Sequence, residues 1–80
     1  MGNRKRYTDI DQFWREAPQK LKNQVMGDIT QRGYNVDPTG GSLSAHLWET
    51  AQWDVSHECC AELIAHYAEV KRQAVLRGGG

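Results

Sequence analysis

Apolar residues recur at helical spacing along most of this chain, and the longest such stretch, Leu43 to Arg77, contains neither Gly nor Pro. At 100° per residue, Leu47, Trp48, Ala51, Val55 and Cys59 share one sector of a helix. Leu63, Tyr67, Val70 and Ala74 share another, centred about 110° further round. A face that moves this far means either one straight helix with different neighbours along its length or a break. Asp54 and Ser56 are both N-cap types, which favours a break there. The spacing therefore predicts two helices, Ser44–Trp53 and Ser56–Leu76.

Nearer the N-terminus, Ile10, Phe13, Trp14 and Ala17 fall at i, i+3, i+4 and i+7. Thr8 is placed to cap this helix, and Asp9 and Asp11 put carboxylates in its first turn, where the helix dipole favours them. Pro18 ends it and is well suited to opening the next. The second helix is predicted from Pro18 to about Arg32, with Leu21, Val25 and Ile29 inward, Gly27 as a weak point and Gly33 as the stop. Tyr34 to Ser42 reads as the one clear loop, through its Asp-Pro and Gly-Gly steps, with Ser42 or Ser44 able to cap the next helix. No segment alternates convincingly as a strand. The expected fold is all-α: three or four helices, a helical hairpin or small bundle with a long or broken C-terminal helix. Its expected core joins Ile10, Phe13, Trp14, Leu21, Val25 and Ile29 to Leu47, Val55, Cys59, Leu63, Tyr67 and Val70. Residues 1–80 form one domain, with 1–7 a flexible basic arm and 78–80 a flexible tail.

Composition sharpens this. At 80 residues and 39% apolar content the chain has room for only a small core, yet it is too rich in Trp and Tyr for a disordered one. The stretch 43–77 carries apolar residues over more of its circumference than two short helices would cover, so a two-fold homodimer is expected. No apolar run approaches the roughly 20 residues that span a bilayer, and the basic start leads into polar residues, unlike a secretory signal. A cytoplasmic protein is expected.

Charge is segregated although the net charge is zero. Residues 1–33 hold seven basic against four acidic side chains, whereas residues 34–80 hold three against six, with no Lys or Arg between Arg32 and Lys71. This segregation defines two candidate surfaces. Glu58, Glu62 and Glu69, with Gln73 beside them, lie within about 60° of one another on the last helix. Such a row suits docking on a basic patch of another protein, and can imitate phosphates in a nucleic-acid-binding groove. The arm carrying Arg4, Lys5 and Arg6 supports the alternative, a small nucleic-acid-binding regulator. A helix-turn-helix finds little support. The loop at 34–42 is too long for its turn, and a recognition helix after Ser56 would be acidic.

Catalytic chemistry and metals are not expected. His46, His57, Cys59, Cys60 and His66 lack the paired ligand spacing of a zinc site. Glu62 and His66 are one residue too far apart for the Glu-x-x-His unit of di-iron bundles. Adjacent Cys59 and Cys60 read as reduced thiols without a recognisable partner base. No cofactor motif is present. Trp53 lies about 180° from the apolar sector of its own helix, so it is a candidate hot spot for a partner or packs within the chain after the break.

The ending Leu76-Arg77-Gly78-Gly79-Gly80 resembles the Leu-Arg-Gly-Gly tail of ubiquitin-like modifiers over those residues alone, with one Gly more. A helical chain is not the β-rich fold of that family, so no function is carried over. Small Trp-containing helical chains with segregated charge are similar in type to bacteriophage accessory proteins that bind and inhibit host machinery. The sequence therefore leads to a non-catalytic helical regulator acting on another macromolecule, most directly a protein.

Overall fold

A computed structural model describes the backbone of residues 5–78 and side chains through Gln73. Four helices carry the fold: α1 (Ile10–Glu16), α2 (Gln19–Thr30), α3 (Gly41–Ala51) and α4 (His57–Gly78). A short 3-10 turn, Tyr34–Val36, lies between α2 and α3. Among the described residues, the one departure from an all-helical description is a pair of two-residue strands, β1 (Arg6–Tyr7) and β2 (Asp54–Val55), which pair in parallel with Arg6 opposite Asp54 and Tyr7 opposite Val55.

The break in the C-terminal stretch is real. α3 stops at Ala51, with Gln52 in the left-handed region at φ 58° and its amide bonded to the Trp48 carbonyl. The chain then crosses as β2, and Ser56 caps α4 by accepting the Cys59 amide at 3.1 Å. Pro18 stands immediately ahead of α2, and Gly33 turns the chain after it at φ 82°.

Three local expectations need correction. Asp9, not Thr8, caps α1: its carboxylate accepts the Gln12 amide at 2.8 Å, while Gln12 Oε1 accepts the Thr8 amide at 3.0 Å. α3 begins at Gly41, before either Ser proposed as its cap. Asp37 reaches across and accepts the Ser42 amide and hydroxyl, both at 3.0 Å, and Ser44 donates instead to the Val55 carbonyl at 2.7 Å. The arm predicted as free through residue 7 is pinned from Lys5 onward. Tyr7 is 4% exposed, and its carbonyl accepts the Ser56 amide at 2.9 Å. An aromatic ring beside Phe13 is removed from water there, which holds the segment down.

Phe13, Leu21, Val25, Ile29, Leu47, Val55, Cys59 and Leu63 are buried as expected, joined by Tyr7, Ala17, Leu43, Cys60 and Ile64. Ile10, Trp14 and Tyr67 pack against this core half-buried. Val70, assigned inward by its spacing, is 48% exposed. The reason is geometric: α4 is 22 residues long, and its inward stripe runs past the last residue available to cover it. From Ala68 to Gln73 every side chain is exposed.

Candidate functional site

α4 is the element on which candidate chemistry and candidate contacts meet. Its inward face, Cys60, Leu63, Ile64 and Tyr67, is set by helical register. On the opposite side Glu58, Glu62 and Glu69 fall within about 40° of one another, along about 16 Å of helix. All three are exposed. No described residue forms an ion pair with Glu58 or Glu62. Glu69 differs: Gln73 donates to it at 2.9 Å and Arg72 at 2.6 Å, and these contacts hold its carboxyl below the usual range. The row therefore has two open carboxylates and one locally neutralised.

The residues offered for nucleic-acid contact are, where described, engaged within the fold. Arg4 lies outside the described residues. Lys5 pairs with Glu16, and Arg6 pairs with Asp54 at 3.0 Å. Lys22 donates to the Trp14 carbonyl at 2.9 Å and sits over the Trp14 ring. Trp53, the proposed hot spot, packs half-buried on the core, and its indole N–H donates to Gln24 Oε1 at 3.2 Å. Intrachain packing after the helix break thus accounts for Trp53.

The thiols carry no activated nucleophile. Burial pushes both Cys59 and Cys60 up to about 12, with Glu62 adding to the effect at Cys59. Such thiols stay protonated at neutral pH.

Sequence reasoning missed a buried polar chain that joins α2, the 3-10 turn and α3. Asp28 is 1% exposed, with Oδ1 accepting from Arg32 at 3.1 Å and Oδ2 lying 3.3 Å from His46 Nε2 without a well-formed hydrogen bond. His46 Nδ1 lies 2.9 Å from the Tyr34 hydroxyl, and the two rings stack at 4.4 Å. Both imidazole nitrogens face groups within the fold, so the arrangement acts as an internal clamp. A signal was present: Asp28 occupies an inward position of the Leu21, Val25, Ile29 stripe, where a carboxylate needs partners.

A second feature lies where α4 leaves the body. Trp14, His66 and Tyr67 meet edge to face, with centroids 5.2 to 6.0 Å apart. Val70 continues this seam toward the end of the helix.

No protein-family model, curated protein or solved structure matches the chain. Among the described residues no helix is long and apolar enough to cross a membrane, and no group of three His, Cys, Asp or Glu side chains is placed to hold a metal.

Proposed function

We propose that this chain is a small non-catalytic regulator that docks on another protein through the outer face of α4, as phage-type inhibitors of cytoplasmic host machinery do. Glu58 and Glu62 stand exposed and unpaired among the described residues on a helix whose other side is anchored in the core. That observation carries the reading. A rigid helix presents the carboxylates with little backbone ordering still to be lost, and their charge favours a basic surface, including one that otherwise binds phosphates. The competing nucleic-acid reading is weakened by the intrachain contacts of Lys5, Arg6 and Lys22.

The test is capture from a bacterial lysate on immobilised protein, with the captured species identified and its binding then measured with purified components. Glu62→Lys is expected to weaken that binding roughly tenfold, and added salt to weaken it further, because exposed charges are screened beyond about 8 Å at physiological ionic strength. Glu49→Lys, on α3, is expected to change little. Removing residues 1–4 is expected to leave binding intact. If that deletion abolishes binding while Glu62→Lys preserves it, the nucleic-acid reading takes its place.

A further inference from the structure

β1 and β2 pair through Tyr7, which lies opposite Val55 and whose carbonyl accepts the Ser56 amide at 2.9 Å. In an extended strand the backbone groups of neighbouring residues point to opposite sides. The Arg6 carbonyl and the Thr8 amide therefore face away from β2, along the outer edge of β1. One side chain takes both. Gln12, half-buried in the first turn of α1, donates through Nε2 to the Arg6 carbonyl and accepts the Thr8 amide at Oε1, each at 3.0 Å. The Thr8 hydroxyl donates to the same oxygen at 3.2 Å. These partners fix which end of the carboxamide is which, since a carbonyl needs a donor and an amide an acceptor. One bond to the carbonyl of residue i and one from the amide of residue i+2 is the pair that a single residue of a third, parallel strand would make. The other edge of the sheet is treated alike. By the same alternation the Val55 carbonyl points away from β1, and Ser44 of α3 donates to it at 2.7 Å.

We propose that the Gln12 carboxamide is a surrogate strand, a lock that closes the outer edge of β1 and keeps the N-terminal strand shut on β2. A two-residue parallel pair is too short to hold by its own ladder. A free edge would also offer its backbone groups to any extended chain. With Gln12 in place those groups are taken by a side chain that α1 carries. Helix capping alone does not account for the contact. A capping box sends the side chain of the third helical residue back to the amide of the cap itself, here Asp9. Gln12 reaches one residue further, to Thr8, and its bond to the Arg6 carbonyl has no part in capping. The cap is supplied separately, by the Asp9 carboxylate on the Gln12 backbone amide at 2.8 Å. The lock uses neither Glu58 nor Glu62, so it stands or falls independently of the docking role.

Amide hydrogen exchange of the full chain, resolved by NMR, tests this. The Ser56 amide reports whether β1 is seated, because its partner is the Tyr7 carbonyl. Gln12→Ala leaves the Asp9 cap in place and is expected to speed exchange at Thr8 and Ser56 by about five- to tenfold. Unchanged circular dichroism will show that the fold survives. Gln12→Glu is the deciding variant. Its carboxylate still accepts the Thr8 amide, and in the first turn of a helix it caps as well as an amide does. It cannot donate to the Arg6 carbonyl. The lock therefore predicts Ser56 exchange faster by about fivefold, whereas a cap predicts Ser56 unchanged or slower. In both variants the Ser56 rate is expected to be indifferent to low denaturant, as for a strand that opens by itself. Wild-type protection of Ser56 in Gln12→Glu overturns the proposal. So does a Ser56 rate that climbs with denaturant as steeply as that of the Val25 amide in α2, since β1 then opens only with the whole molecule.

Discussion

At Gly40 the backbone turns at φ +80° and lies against the first turn of α4. A Cβ there would press on the His57 carbonyl oxygen and lie 2.6 Å from the Ala61 amide nitrogen and 2.8 Å from Cys60 Cβ. Gly33 has nearly the same φ, +82°, with nothing within 4 Å of an added Cβ. The two positions separate conformational strain from steric overlap. Gly33→Ala is expected to cost about 1 kcal/mol, for the left-handed backbone alone. Gly40→Ala is expected to cost about 3 kcal/mol, because backbone atoms of α4 would have to move as well. Urea unfolding of both variants measures the difference, and equal losses would contradict the close approach. Gly40 and Gly41 were legible as a turn. That one of them abuts a helix 17 or more positions later was not, since nothing in a Gly-Gly step encodes its distant neighbour.

β1 illustrates the same limit at the level of elements. A strand of two residues has no alternation to detect, and Arg6 and Tyr7 adjoin a basic run that reads as solvated. Its partner Asp54 is 48 residues away, bonded to Arg6 at 3.0 Å. Burial of Tyr7 against Phe13 makes the strand part of the core. Deleting residues 1–4 is expected to leave the thermal midpoint within a few degrees of the full chain. Deleting 1–7 removes the Tyr7 ring and the acceptor for the Ser56 amide, and is expected to cost about 3 kcal/mol or more. Melts followed by circular dichroism check this, and equal midpoints for the two truncations would show that β1 holds nothing. The helices were far more legible. α1 and α2 were predicted within a few residues, and the break before α4 was marked by Asp54 and Ser56, because caps and 3.6-residue periodicity are written in near neighbours.

For the molecule as a whole, acid stability gathers several of these local contacts. Hydrogen bonds from Thr39 and Ser42 hold Asp37 at about 2, against an ordinary value of 3.8, and Lys5 lowers Glu16. Each carboxylate therefore binds its proton more weakly in the folded chain than in the unfolded one. The stability that Asp37 contributes is fully present above about pH 4 and is lost as pH falls through about 2. Wild-type protein should melt at a higher temperature than Asp37→Asn at neutral pH, and that advantage should shrink steadily between about pH 4 and 2. A gap between the two midpoints that stays constant across this range would show that Asp37 does not act through its charge.

What the sequence by itself determined is the helical class, the positions of most helix ends and the inward residues of α2 and early α4. Those depend on residues three or four apart, whose spacing survives in any path the chain takes. Only the tertiary structure decided that Lys5–Tyr7 is anchored, that Trp53 packs inward on Gln24, that Asp28 finds His46 and Tyr34, and that Val70 outruns its cover. Each of these turns on which distant element lies alongside and where it stops, and a local pattern fixes a face without fixing what meets it.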